Sequence, residues 1–129
     1  MHQHFGYVST LSPDQHPRVF ADISSRARAF NGAHGIEGAL LFDGERFVQW
    51  LQGPPEAMAL LVERICKDVR HHEVSVLHRQ SGPRWECHPP WACGFVGAEV
   101  LDRWLASLPG EQAFCTAFQT LLSQADLDV

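Results

Sequence analysis

Apolar residues along the chain follow two periods. Residues 3–10 alternate weakly and predict a first strand. Ser12-Pro13-Asp14 and Pro17 then mark a turn and the approach to a helix. Val19, Phe20, Ile23, Ala27 and Phe30 recur at helical spacing and predict a helix over 19–30, with Arg26 and Arg28 at flanking or solvated positions. Asn31-Gly32 is its expected end, since both residues tolerate left-handed backbone. Two apolar runs, 38–42 and 47–51, flank Asp43-Gly44 and predict a hairpin. Gly53-Pro54-Pro55 stops the second run. A proline early in the next helix is tolerated because its missing N–H would be unpaired there anyway. That helix is expected from 55 to 66 or 67, with Met58, Leu61, Val62 and Ile65 on one face. Residues 74–78 predict a fourth strand. A fifth is expected over 91–96, after Pro89-Pro90, and short helices near 98–107 and 111–123 are separated by Pro109-Gly110.

The predicted order is strand, helix, strand, strand, helix, strand, strand, then a helical tail. Two βαβ-type crossovers and one hairpin give a mixed five-stranded sheet, and right-handed crossovers put both long helices on one face. The expected fold is an α+β, ferredoxin-like sandwich over residues 1–97. Residues 98–129 form a C-terminal helical extension that packs on the sheet's other face through Trp104, Leu105, Phe114, Phe118 and Leu122.

One position breaks the apolar pattern. Gln49 lies in the run Phe47-Val48-Gln49-Trp50-Leu51, which reads as a buried strand. An unpaired amide in a core costs roughly 1–3 kcal/mol. Gln49 therefore needs a partner, and a ligand serves as well as a protein group.

Bulk properties narrow the function. A chain of 129 residues, 45% apolar, makes one globular domain with its own core. A net charge of −5 offers no nucleic-acid footprint. No stretch approaches the roughly 18 apolar residues of a membrane span. The first residues lack a basic region followed by an apolar run, so a cytoplasmic protein without a signal peptide is expected. The four cysteines, Cys66, Cys87, Cys93 and Cys115, match no zinc framework and no CxxC motif, and read as free thiols. Cys87-His88 and Cys93 with His71, His72 and His78 are not zinc-like in spacing, so no metal is expected. No Gly-rich phosphate loop and no Ser/His/Asp order argues for catalysis.

Four motifs resemble the BLUF family, blue-light sensors that use FAD, over about residues 3–96. They are Tyr7-Val8-Ser9; Asn31 followed by Gly35-Ile36-Glu37-Gly38-Ala39-Leu40; Phe47-Val48-Gln49-Trp50-Leu51-Gln52-Gly53-Pro54; and Arg64-Ile65-Cys66-Lys67-Asp68-Val69-Arg70-His71. The resemblance implies a flavin ring between the two long helices, sandwiched by Ile23 and Ile65. Tyr7 matches the photoactive tyrosine and Gln49 the glutamine between it and the flavin. Asn31 matches the residue on the pyrimidine edge. Arg64, Asp68, Arg70 and His71 match polar positions around the ring edge, ribityl chain and phosphates. Trp91 and Cys93 match a Trp-x-Met pair on the last strand that tunes the response.

The chemistry suits that assignment. A phenol gives an electron and a proton together, and an amide has a donor end and an acceptor end that reversal or tautomerisation exchanges. The implied output is light-dependent contact with a separate partner protein, with self-association into a homodimer or higher oligomer. The chain departs from the family pattern at several places. Glu37 replaces Thr and would need a partner when buried. Gln52 replaces Glu, Phe30 stands at an often polar position, Cys93 replaces Met, and the spacing before Trp91 is stretched. These departures leave a second reading, a flavin-free or photochemically silent interaction module of the same fold. A third, a small flavin-dependent redox enzyme, would need an open substrate pocket. Among the bland alternatives, Asn31 also suits a helix C-cap, and Asp68, Arg70 and His71 a solvated helix end.

Overall fold

Among the described residues ten elements follow one another: β1 (His2–Leu11), α1 (Val19–Ala33), β2 (Glu37–Phe42), β3 (Arg46–Gly53), α2 (Pro55–Lys67), β4 (His71–Gly82), β5 (Trp91–Phe95), α3 (Ala98–Ala106), α4 (Phe114–Ser123) and β6 (Asp126–Asp128). The computed structural model describes residues 1–87, 89–108 and 113–128. His88, Pro109-Gly110 and the expected helix start at Glu111 lie outside the described residues. No described helix is long and apolar enough to cross a membrane.

The strands form one sheet in the order β4-β1-β3-β2-β5-β6. The β2–β5 pair is parallel, and the other neighbours are antiparallel. The first four strands with α1 and α2 give the ferredoxin-like arrangement, each helix being the crossover of a βαβ unit. One sheet face carries Phe5, Tyr7, Leu40, Phe42, Phe47 and Leu51, packed with Phe20 of α1 and Met58 and Leu61 of α2. The other carries Ala39, Leu41, Val48, Trp50 and Ala92, packed with Leu101 and Trp104 of α3 and Phe114, Phe118 and Leu121 of α4. Alternate residues of β2 and β3 thus feed two separate cores. That is why these strands read as continuous apolar runs rather than alternating ones.

The sheet has six strands where the sequence pattern predicts five. Asp-Leu-Asp is too short and too polar to register as a strand, yet β6 pairs antiparallel with β5. Strand β4 extends well beyond 74–78. It lies at the sheet edge with much of its length exposed, so burial imposes little apolar alternation. Helix α1 continues through Asn31-Gly32 to Ala33. Its left-handed terminator is Gly35, at φ 68°. His71 and His72 open β4 instead of closing α2.

Two irregularities in β4 decide which way its side chains face. The register against β1 shifts between Val8 and Thr10, where Glu73 stands at φ 55°, and again between Gly6 and Tyr7. Each shift inserts an extra residue and flips the following side chains to the opposite face. As a result His71 and Val74 share the face toward α2, and His78 turns to the face covered by α4, stacking on Phe114 at 4.9 Å.

Candidate functional site

Tyr7 and Gln49 are direct cross-strand partners on β1 and β3. The Tyr7 hydroxyl donates to Gln49 Oε1 at 2.6 Å, with both side chains buried. That bond uses the acceptor end of the amide and leaves its two N–H donors for the cleft that Gln49 lines. Burial raises the Tyr7 phenol well above the ordinary tyrosine range, and negative charge at Asp68 and Cys66 adds to the effect. The proton therefore stays on Tyr7 at neutral pH.

The cleft has a volume of about 260 Å³. Its floor is Tyr7, Gln49, Phe47 and Leu40. Ile23, Ala27 and Phe30 of α1 form one wall, and Leu61 and Ile65 of α2 the other. Ile23, Ala27 and Ile65 are only half-buried where they line the cleft, while the Phe30 ring stacks on His34 at 4.0 Å and lies under the Arg64 guanidinium. This space is slightly below the roughly 300 Å³ of a site enclosing a whole drug-sized ligand. It suits a flat ring system whose polar tail extends past the rim.

The rim is charged. Arg70 donates to both oxygens of Asp68, from Nε at 2.9 Å and Nη2 at 2.7 Å, and from Nη1 to Asp22 at 3.2 Å. At Asp68, burial pushes the carboxyl up, but the Arg70 hydrogen bonds outweigh it and hold it below the ordinary aspartate range. His71 Nε2 donates to the Ile65 carbonyl at 2.5 Å, so in the neutral ring Nδ1 accepts from the Ser9 hydroxyl at 2.6 Å. His71 also meets the Tyr7 ring edge-on at 5.9 Å. The Arg64 guanidinium lies 4.7 Å from the centre of the Phe30 ring, a cation–π contact joining the two walls.

Of the residues singled out from sequence, Tyr7, Ile23, Gln49, Arg64, Ile65, Asp68, Arg70 and His71 meet at this cleft. Asn31, Trp91 and Cys93 do not line it. Asn31 is 1% exposed, and neither atom of its amide has a hydrogen-bond partner among the described residues. Trp91 and Cys93 are buried on the same sheet face but two strands away, where Leu40 separates Cys93 from Gln49. Trp91 Nε1 has no partner among the described residues, and Cys93 Sγ is 3.5 Å from the Asp128 carbonyl of β6. Sequence reasoning passed over Arg26, Ala27 and Leu61 as cleft residues. The signal was present, since Ala27 follows Ile23 by four and Leu61 precedes Ile65 by four. Ser9, the partner of His71, belongs to the Tyr7-Val8-Ser9 motif, which marked the position without giving it a role in the cleft.

The departures at Glu37 and Gln52 prove to be one feature. These residues are cross-strand partners, and Gln52 Nε2 donates to Glu37 Oε1 at 3.3 Å. Arg84 grips both Glu37 oxygens at 2.7 Å, while Gln52 pairs with the backbone of Trp85 in both directions, at 2.5 and 2.7 Å. Glu37 thus has its partner, held below the ordinary glutamate range chiefly by the Arg84 hydrogen bonds.

Comparison with known proteins agrees with this geometry. Residues 3–88 match the family model described as BLUF, sensors of blue light using FAD. The chain belongs to the BLUF family. BLUF domains are flavin-binding photosensors, and this chain is such a domain. It is 32% identical over 68 residues to the blue light- and temperature-regulated antirepressor BluF of Escherichia coli K12, a match spanning 53% of this chain and 17% of that protein. It also resembles BlrP1 of Klebsiella pneumoniae, solved with FMN and cyclic diGMP, with a TM-score of 0.67 and 27% identity over 97% of this chain and 30% of that one. The photo-activated state of BlsA shares the fold, with a TM-score of 0.75 and 24% identity over 95% of both chains. The residues of this BLUF domain fit a flavin. The half-covered apolar walls suit a planar ring and the arginines at the rim suit phosphate, while the buried Asn31 amide, without a hydrogen-bond partner among the described residues, lies outside the cleft lining.

Proposed function

We propose that the chain is a blue-light receptor that binds FAD non-covalently in the cleft between α1 and α2 and signals through Tyr7 and Gln49 to a separate partner protein. Bound flavin supplies a light-excited electron acceptor. Ile23 and Ile65 grip the ring from the two walls, and Asn31 holds its polar edge. Arg64 and Arg70 hold the phosphates, and His71 with Asp68 fixes the rim. Support for FAD comes from the family description and the basic rim, while FMN is the flavin named for BlrP1.

The Tyr7–Gln49 hydrogen bond of 2.6 Å carries this reading. Tyr7 holds a proton at its hydroxyl, and Gln49 Oε1 is the atom placed to receive it. A Gln49 amide that has been rotated or tautomerised presents a donor where it had an acceptor, with no net gain of protons in the cleft. In this buried setting one exchanged hydrogen bond outweighs its worth in water. One row of the sheet, Tyr7, Gln49, Leu40, Cys93 and Asp128, connects the pair with β6. We assign Cys93 a tuning role through this row and Trp91, paired with Gly38 two residues along β5, a tuning role beside it, with the output going to a cytoplasmic partner and self-association to the receptor.

A flavin-free interaction module is favoured by one observation, the Arg64–Phe30 contact between the two walls. The absorption spectrum of the purified protein separates the readings. A yellow protein whose flavin bands shift red reversibly under blue light is expected. A colourless protein that takes up neither FAD nor FMN overturns the receptor and leaves the module.

A further inference from the structure

On the sheet face away from the cleft, three metal-binding side chains converge from three elements. His4 of β1, His78 of β4 and Cys115 of α4 place one ligand atom each within 4.8 Å of one another. We propose that they form a binding site for one thiophilic d10 metal ion, Zn²⁺ or Cu⁺, between the sheet and α4. Sequence spacing could not reveal it, because residues 4, 78 and 115 meet only in the fold.

Four observations support a built site. First, both histidines are buried, His4 to 5% and His78 to 3% exposure, which keeps their ring atoms away from bulk solvent. Second, His4 Nε2 donates to the Pro83 carbonyl at 2.9 Å, which fixes the ring and leaves the Nδ1 lone pair toward Cys115 Sγ, 4.0 Å away. A backbone carbonyl on the far nitrogen is the usual outer support of a metal-binding histidine. Third, the register shift between Gly6 and Tyr7 is what turns His78 onto this face, where it stacks on Phe114. Fourth, Trp50 beside His4 and Phe114 beside His78 give the group apolar neighbours, while Cys115 is only half-buried, which leaves a path for one water to complete the four ligands of a tetrahedral ion.

Two imidazoles and a thiolate are a borderline-soft set, suited to Zn²⁺ or Cu⁺ and poorly suited to Mg²⁺ or Ca²⁺. Donors sharing one zinc at about 2.0–2.3 Å stand roughly 3.3–3.6 Å apart. Metal binding therefore draws the three atoms together by about an ångström, within the range of small χ adjustments. As the metal–sulfur bond forms, Cys115 releases its thiol proton to solvent, and both histidines bind as neutral rings. Occupancy would tie α4 to the strand that carries Tyr7, from the opposite face of the sheet.

The test uses the full chain, treated with chelator and titrated with Co²⁺ as a spectroscopic probe. One equivalent is expected to give tetrahedral d–d bands beyond the flavin absorption. Cys115→Ser should lose them and weaken binding about 100-fold or more, beyond the cost of disturbing an outer-shell partner. Cys66→Ser, at an exposed cysteine elsewhere, should keep them. Zn²⁺ should displace the probe and raise the melting temperature of the parent chain but not of Cys115→Ser. Competition with a Cu⁺ chelator under anaerobic conditions decides between the two ions. Should the variant fail to fold, alkylation of the parent chain answers instead, with Zn²⁺ or Cu⁺ protecting Cys115 and not Cys66. Probe bands that persist in Cys115→Ser, or a Cys115 alkylation rate that neither ion changes, overturn the site. None of these readouts depends on light or on flavin, so their failure leaves the receptor reading intact.

Discussion

Two buried amides bear on the receptor reading, Gln49 in the cleft and Asn31 outside its lining. Gln49 has its acceptor end satisfied by Tyr7, and Asn31 has neither end satisfied among the described residues. Tyr7→Phe removes the proton that Gln49 accepts while keeping the ring. We expect the variant to retain flavin, lose about 0.5–1.5 kcal/mol of stability for one hydrogen bond, and show no red shift under blue light. A full light response in Tyr7→Phe would refute its role. Asn31→Leu keeps the shape and removes two unsatisfied groups. Chemical denaturation without flavin should show unchanged or higher stability. Flavin release should show retention weakened roughly 10-fold, the worth of about 1.4 kcal/mol of lost hydrogen bonding. A large loss of flavin-free stability would mean that Asn31 serves the protein and not the ligand. Gln49 was legible from sequence because a polar residue stood out in an apolar run, whereas Asn31 read as a helix end and gained a ligand role only from the family resemblance. The sites of Trp91 and Cys93 relative to the cleft were not, since two residues on one sheet face can be separated by intervening strands.

At the scale of elements, compensation explains the unusual residues. Glu37 and Gln52 face each other at the ends of β2 and β3, and the Gln52 amide also closes the segment at Trp85 onto the sheet. Gln52→Glu would set two carboxylates opposite each other and strip the Trp85 carbonyl of its donor. With Gln52 fully buried, we expect a loss of about 1–3 kcal/mol, read as a lower denaturation midpoint. Adding Glu37→Thr should recover part of the loss, so the two changes couple. Simple additivity in the double variant would show that the pair is not a unit. The register shifts in β4 have the same standing. They are short, polar and at an edge, and a one-residue shift leaves no mark on composition. Yet they turn His71 toward the cleft and His78 away from it.

At the scale of the molecule, the sheet divides two cores, one roofed by α1 and α2 around the cleft and one filled by α3 and α4. Charge at the rims links them to pH. The carboxyls of Asp68 and Glu37 are both held below their ordinary range when folded, by Arg70 and Arg84 against the cost of burial. A depressed folded value means stability that is present above the unfolded value, about pH 4, and lost as pH falls through the folded one. Melting temperature should therefore drop steeply on the acid side. Asp68→Asn should melt lower than the parent at neutral pH and converge with it in acid. Parallel acid arms for the two proteins would deny Asp68 this role.

The sequence alone determined the two long helices, the hairpin, the ferredoxin-like order and most of the cleft's polar residues. Those are local quantities, set by hydrophobic period, turn residues and motifs contiguous along the chain. Only the tertiary structure decided the sixth strand, the face each β4 residue takes, the pairing of Glu37 with Arg84 and the meeting of His4, His78 and Cys115. Each of these depends on register and on contacts between residues far apart in sequence, where a one-residue slip reverses the answer while composition and periodicity stay almost unchanged.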